Sequence, residues 1–486
     1  LANLSAGIFE ITVSAPGFAE ARTTVTISAG TDSRADIVMH TQSSADAGER
    51  GASGVSGVVG TKSVTDLPLN GGSASDLAAL EPGVASARTQ STGQAQRGFG
   101  NQMTISGGRP RQNDARLDGI SVNDYVNGPP GSALGVNLGS DAVDQFSVLT
   151  SNYPAQFGRS SGGIIGASTR SGTKDFHGNA FEYIRNSAFF ARNFFDTAKP
   201  AFHRNQFGGS IGGPILKDRT FFFADYEGLR QSQGYTQVDT VPSQAVRDGH
   251  LCAPPDYSST TTIAVDPQVA GFLKAFYPLP NGVLLCPYSS CVPGTGDTGI
   301  FTFAGQTVTP ENYFTTKIDH IFSAQDALSG TYMFDSGTVR QPDEFGNKRT
   351  GYDSRKQVFT VHEIHTVRPQ LLNSFHFGIN RVVTTSGLTF PGGNSLVADP
   401  SFGTVPGLNA AAVIVPGLTF FSGGLGTPAN FRFHWTSIQG SDDVSLTKGT
   451  HSVKFGVNAG QHSGSFEPRW RICVQPTVCQ NCRLFR

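Results

Sequence analysis

The sequence predicts a mainly β protein in three parts: a partial β-sandwich, a compact α+β unit, and a long run of strands belonging to a transmembrane antiparallel β-barrel. Three observations carry this. Of 486 residues, 59 are glycine and 36 phenylalanine against 3 methionine and 2 tryptophan, a balance that suits pleated surfaces and disfavours helical bundles. Only 15% of the chain is charged, a poor composition for a strongly charged, water-facing surface. From about residue 173 onward, short runs of period two recur between long polar loops.

The opening "LANLSAGIFEITVSAPGFAEARTTVTISAGTDSRADIVM" alternates around Ile8 to Val13, turns at Pro16-Gly17, and alternates again through Val25, Ile27 and Ile37 to Met39. That is the pattern of hairpin-linked strands in a small β-sandwich over residues 1–40. Its first strands are expected to precede Leu1. The chain also starts without an initiator Met or an export signal, so a fragment of an exported protein is expected. Residues 41–62, rich in Ser, Gly and Ala, read as a flexible linker. Between 63 and 172 the elements become short and mixed. "SASDLAALEPGV" has the Ser/Asp start and Pro82-Gly83 stop of a short capped helix, and "NQMTISGGRPRQNDARLDGISVND" reads as two strands about a polar turn.

In the third part, "HSVKFGVNA" sets His451, Val453, Phe455 and Val457 apart from Ser452, Lys454, Gly456 and Asn458. "NSFHFGIN" separates Phe375, Phe377 and Ile379 from Ser374, His376, Gly378 and Asn380, and "LSGTYMFD" separates Leu328, Tyr332 and Phe334 from Ser329, Thr331, Met333 and Asp335. A sheet with one solvated face has the same period. The polar face here is dominated by small uncharged residues and glycine, and aromatics crowd the strand ends, which favours a barrel with an interfacial girdle. In "NQFGGSIGGPILKDRTFFFADYEG", beginning at Asn205, one strand is expected to end at Pro214, "ILKDR" to form a tight turn, and "RTFFFADYEG" to return. Alternation then puts Phe222, Ala224 and Tyr226 toward lipid and Phe221, Phe223, Asp225 and Glu227 toward the lumen.

The formal net charge of -1, with no basic stripe, argues against a nucleic-acid partner. No run of 18 apolar residues occurs, which excludes a transmembrane helix and leaves a barrel open. The six cysteines fall at Cys252, Cys286 and Cys291 and at Cys473, Cys479 and Cys482. Cys286 and Cys291 flank "PYSS" closely enough for a loop disulfide, with Cys252 as the other candidate partner.

The segments "DLPLNGG", "LAALEPGV", "SGGRPRQNDARLDGISVND", "VDQFSVLTSNYPAQFGRSSGGIIGASTRSGT", "FHGNAFEYIRNSAFFARNFFD" and "RNQFGGSIGGPILKDRTFFFADYEGLR" resemble, in order over about residues 63–232, TonB-dependent outer-membrane receptors of the Oar-like type. "GIFEITVSAPGF" and "VTISAG" resemble the carboxypeptidase-regulatory-like sandwich (a carbohydrate-binding-like fold) that precedes the plug in that group. The resemblance implies a plug over 63–172 and the N-terminal portion of a barrel over 173–486, the barrel having 22 strands when complete. It implies a TonB partner grasping a segment ahead of the plug, within "GASGVSGVVGTKSV". It also implies outer-membrane lipid around the barrel, a periplasmic N-terminal domain and linker, and an extracellular ligand. Arg109 and Arg111 stand nearest the family's Arg-Gly plug motif, while Arg116 and Asp118 match its plug strand and turn. Nine or ten strands are countable after residue 173.

Other motifs carry less. In "VHEIHTV", His362 and His365 are spaced i and i+3 inside a β-branched run, not the i and i+4 of a zinc-protease helix. "CQNC" lacks a second ligand pair, and "SGGIIG" and "GGSIGG" lack the Lys-Ser/Thr of a phosphate loop. No cofactor, metal or catalytic constellation is expected. The function expected is energised transport of a siderophore, oligosaccharide or peptide across the outer membrane; a passive adhesion or surface protein on the same scaffold is the alternative, and a secreted metalloenzyme the third reading.

Overall fold

A computed structural model describes residues 7–13, 21–27, 55–60, 78–87, 102–124, 127, 139–153, 156–158, 160–191, 199–253, 259–285, 296–426, 430–448 and 451–469. Of the sandwich expected at 1–40, the described residues form one antiparallel pair, β1 (Gly7–Val13) with β2 (Ala21–Ile27), in which Gly7 faces Ile27. β3 (Val55–Gly60) lies within the stretch expected to be a linker. Its valines at 55, 58 and 59 have no period of two, so the sequence hides a strand whose place is fixed by its neighbour.

The residues that follow, as far as Thr169, build a mixed sheet with β3. β4 (Val84–Ala87) pairs with β5 (Gln102–Ile105), while β6 (Asp114–Leu117), β7 (Ile120–Ser121), β8 (Val143–Ser151) and β9 (Ile164–Thr169) join β3 in the order β3-β8-β9-β6-β7. Only β6 and β9 run parallel. The helix expected in "SASDLAALEPGV" is, among the described residues, a 3-10 turn over 78–80; Gly83, at φ 83°, then turns the chain into β4. The two strands expected about the polar turn do not pair with each other. Asn113 donates to the Met103 carbonyl (2.7 Å) and accepts from the Gly163 N–H (3.0 Å), sending β5 and β6 to different sheets. Ala78, Met103, Ile105, Phe146, Val148 and Ile165 form the core of this unit.

The second sheet is larger and wholly antiparallel. It begins with β10 (His177–Asn186), β11 (Phe202–Leu216) and β12 (Thr220–Pro242). A long connection follows, holding α1 (Gln244–Arg247), β13 (His250–Ala253), β14 (Ser259–Thr262), α2 (Pro267–Phe276) and β15 (Leu284–Leu285). The sheet resumes with β16 (Thr298–Ile321), β17 (Asp326–Pro342), β18 (Lys348–Arg368), β19 (Leu371–Pro391), β20 (Asn430–Lys448) and β21 (His451–Arg469). The order is β10-β11-β12-β16-β17-β18-β19-β20-β21, with β15 added beside β16. The chain is therefore mainly β, built around a large up-and-down sheet.

The Asn205 stretch departs from expectation at Pro214. The strand continues to Leu216, with Pro214 opposite Phe221 and a bulge before Leu216 that absorbs the missing N–H. The turn itself is 217–219, with Asp218 in the left-handed region at φ 60°. The glycines leave room for rings: a Cβ on Gly213 would fall 2.4 Å from the Phe176 ring, and one on Gly208 2.8 Å from the Phe181 ring. Phenylalanine laid over a bare strand backbone covers what glycine leaves exposed.

Candidate functional site

The large sheet buries its polar face and exposes its apolar one. On the inner face, packed against the mixed sheet, Asp225, Glu227, Glu311, Lys356, His376 and Asn380 are all buried. On the outer face Tyr226 is 40% exposed, Phe314 38%, Ile318 48% and Phe359 42%. The connections are as lopsided. Residues 217–219, 322–325 and 369–370 join strands at one end; 243–297, 343–347 and 392–429 join them at the other.

The mixed sheet seats on this inner face through side chains that reach its backbone. Gln439 of β20 donates to the Ser121 carbonyl (2.8 Å) and accepts from the Ser121 N–H (3.0 Å), extending β7 by one amide rung. Asn380 donates to the Asn123 carbonyl (2.9 Å) and Lys317 to the Thr169 carbonyl (2.8 Å). Ala115 and Val122 pack on Met333 and Val358. Two glycines set the closeness of approach: a Cβ on Gly378 would meet Ile120 at 2.5 Å, and one on Gly139 would meet the Tyr313 ring at 2.2 Å.

Glu227 receives Gly139. The Gly139 N–H donates to its Oε2 at 2.6 Å, and Gln206 donates to the other oxygen. Asp225 is equally buried, and neither of its carboxylate oxygens has a hydrogen-bond partner among the described residues. Level with it across β11, Asn179 donates to Asp141 of the mixed-sheet unit (2.6 Å). Arg116 forms an ion pair with Asp114 (2.8 Å), and its guanidinium lies 5.0 Å from the centre of the Phe157 ring. Asp118, at φ 47°, accepts from the Thr169 N–H and hydroxyl, both at 2.8 Å, closing the β6–β7 turn onto β9. Arg109 caps the 3-10 turn Pro110–Gln112 and Arg111 lies within it; the Arg109 N–H donates to Gln112 (2.8 Å) and the Arg111 carbonyl accepts from Asn127 (2.5 Å). Arg116 therefore sits at the unit's contact with the sheet, while Arg109 and Arg111 act in its internal turns.

Between Asp114, Arg116 and Phe157 on one side and His376, Asp443 and Lys454 on the other lies a cavity of about 680 Å³. Lys454 crosses its edge to Gln156. No sequence pattern marks Gly139, Lys317, Tyr313 or Gln439 as contact residues. Partners such as Ser121 and Gln439 are 318 positions apart, and the only local signal is a polar residue at an inner position.

The histidine cluster is divided by its strand. His362 points inward and stacks on His376, ring centres 3.8 Å apart, whereas Glu363 and His365 lie on the other face with Asp326 of β17. The donor atoms of Asp326, Glu363 and His365 lie within 4.8 Å of one another, and His365 is already bonded to Asp326. Cys252 is a free, half-buried thiol. Cys286, Cys291 and the C-terminal cysteines lie outside the described residues.

Comparison with known proteins adds four findings. Residues 168–468 match the outer membrane beta barrel domain family. The chain is 33% identical over 132 residues to the TonB-dependent transporter Oar of Myxococcus xanthus, covering 26% of this chain and 12% of that protein. It is 26% identical over 189 residues to the uncharacterized protein YddB of Escherichia coli K12, covering 36% of this chain and 24% of that one. The crystal structure of the Escherichia coli outer membrane transporter YddB superposes with a TM-score of 0.47 at 12% identity, covering 86% of this chain and 55% of that chain. The matches thus span a minor part of both curated relatives.

Proposed function

The chain belongs to the outer membrane beta barrel domain family, and we propose that it is a receptor that moves an extracellular ligand into the periplasm with energy delivered through TonB. The observation that carries the reading is the inverted sheet: apolar side chains out, carboxylates, lysines and amides in. Such a surface is stable where the outside is hydrocarbon and the inside is protein or water. The short turns then face the periplasm and the long connections the exterior.

The mixed sheet, within residues 63–172 together with β3, is read as the plug. The outer membrane has no ATP supply, so work has to arrive mechanically from the inner membrane. In this reading TonB grasps the chain ahead of Val55, and pulling loads β3, which among the described residues is an edge strand paired only with β8. Identity to the Oar transporter supports this, as does seating by individual side-chain bonds that break one at a time. The ligand class stays at siderophore, oligosaccharide or peptide.

Deleting residues 41–54 tests the reading. Uptake of whichever ligand a screen of those three classes returns should be abolished while surface binding persists. Unchanged uptake would replace the transporter with a passive adhesion protein on the same barrel.

A further inference from the structure

The outer ends of the strands carry a second apolar core. Val241 of β12, Phe276 of α2, Phe345 of the β17–β18 turn, and Val397 and Phe421 of the β19–β20 connection are buried together, with the Phe276 and Phe421 rings stacked at 5.0 Å. Val241 occupies an inner position of β12, in alternation with Asp225 and Glu227, and Phe301, packed on the same core, sits opposite Asp239 on that face. The core therefore lies on the lumen side of the strands.

One segment makes the crossing. The chain leaves β19 at Pro391 and re-enters the adjacent β20 at Asn430, yet in between it reaches β12, four strands away, on the order of 19 Å. There the Thr240 N–H donates to the Thr419 hydroxyl (2.8 Å) and the Thr419 N–H to the Thr240 carbonyl (2.9 Å). This edge of β12 is available because β11 stops pairing at Gln233. A side chain pins the middle of the segment. Lys348, the first residue of β18 and wholly buried, donates from Nζ to the carbonyls of Ser422 (3.0 Å), Gly423 and Gly424 (3.1 Å). Beside it Glu344 accepts from the Ser422 N–H, and Asn394 donates to the Ala275 carbonyl (2.6 Å).

We propose that residues 392–426 form a strap across the lumen mouth, held shut by Lys348, that swings aside about its two adjacent ends on β19 and β20 to admit solute. Among the described residues, backbone bonds tie the strap to its surroundings only singly, at the Thr240–Thr419 rung and from the Asn394 N–H to the Asn347 carbonyl (3.1 Å), and others such as Val413–Phe421 lie within it; the rest of its polar closure uses side-chain bonds rather than strand ladders. Removing the ammonium strips three carbonyls of their shared donor at once. Because both ends of the strap leave neighbouring strands, it can move without unpairing the sheet. The passage of solute rests on the transport reading above; the opening itself does not.

The test is a cysteine at Ala410, a wholly buried strap residue, probed with a membrane-impermeant maleimide in outer membranes and read at that position by peptide mass spectrometry. Adding Lys348→Met should raise the labelling rate at least tenfold with heat-modifiable mobility of the barrel unchanged; an unchanged rate overturns the proposal. Should Lys348→Met impair assembly, hydrogen exchange on the unmodified protein decides. Amides 419–425 should exchange together and faster than those of β16 at 308–316, and equally slow exchange overturns it. Neither readout uses TonB or a ligand, so a strap that opens in a protein that transports nothing counts against the transport reading alone.

Discussion

A charge placed on the outer face of β12 should cost far more than one placed next to it on the inner face. Ala224 sits between Ile211 and Thr316 on its neighbours and is flanked outward by Tyr226; Asp225, one residue on, is buried beside Glu227. At about 3.3 Å per residue and a strand tilt of about 40°, the chain climbs about 2.5 Å per residue along the membrane normal. Five residues beyond Arg219 in the short turn, Ala224 then lies about 12 Å from the periplasmic edge, near the middle of an apolar band about 25 Å tall. Ala224→Arg should therefore destabilise the barrel by about 2–4 kcal/mol, roughly 30- to 900-fold in the folding equilibrium. Asp225→Lys places an ammonium among carboxylates on the inner face and should cost clearly less. The assay is folding into phosphocholine vesicles over a urea series, followed by heat-modifiable mobility, with surface yield in cells as a second measure. Equal destabilisation by the two variants, or a larger effect of Asp225→Lys, would refute the register and with it the membrane reading.

Three further outcomes are expected. Gly378→Leu drives a side chain into Ile120 and should loosen the mixed sheet by about 1–3 kcal/mol, seen as faster exchange of amides 114–123 while the barrel keeps its heat-modifiable shift. Gln439→Leu leaves the Ser121 N–H and carbonyl without their partner and should cost about 1–3 kcal/mol at the same amides; no change there would mean that water replaces the amide. In the β17–β18 turn, burial first and then Glu344 push the Asp343 carboxyl up to about 6, against the pull of Lys348. A raised folded-state value means stability that is full below the unfolded value of about 3.9 and lost as pH rises through 6. Protection of amides 343–348, corrected for intrinsic exchange, should thus fall between pH 4 and pH 7, and Asp343→Asn should flatten that profile.

Much of the large sheet was legible because its signal is local. Period two in "NSFHFGIN" and "LSGTYMFD" assigns faces without knowledge of any partner, and the structure buries Thr331, Met333, His376 and Asn380 on the face that the alternation sets apart. Pro214 misled because a missing N–H argues for a stop, whereas a bulge at Leu216 tolerates it. β3 was invisible for a different reason: its place is set by Ser147, Val148 and Leu149 of β8, some ninety residues on. The contact residues between the two sheets belong to this second kind. Gly139 and Tyr313 matter through their mutual approach, and neither flanking sequence encodes it.

The two sheets differ most in how they are joined, and that difference bears on which of them yields to force. Within the large sheet each strand is held by a continuous ladder, as in β12 with β16 from Thr220–His320 to Pro242–Thr298, so displacing one strand means breaking many backbone bonds together. Between the sheets the described polar ties are isolated, among them Gly139 to Glu227, Asn380 to Asn123, Lys317 to Thr169, Gln439 to Ser121, Asn179 to Asp141 and Lys454 to Gln156. Each contributes about 0.5–1.5 kcal/mol net, somewhat more where a charge takes part, and water replaces each as it opens. Among the described residues the apolar contribution at the seam is small: Ala115 and Val122 against Met333 and Val358, with Leu117 and Tyr313 packed on them and Ile120 against Gly378. A load applied ahead of β3 therefore meets its weakest resistance at the seam and within the mixed sheet. Under the transport function proposed above, the barrel wall would stay intact while the inner unit moves.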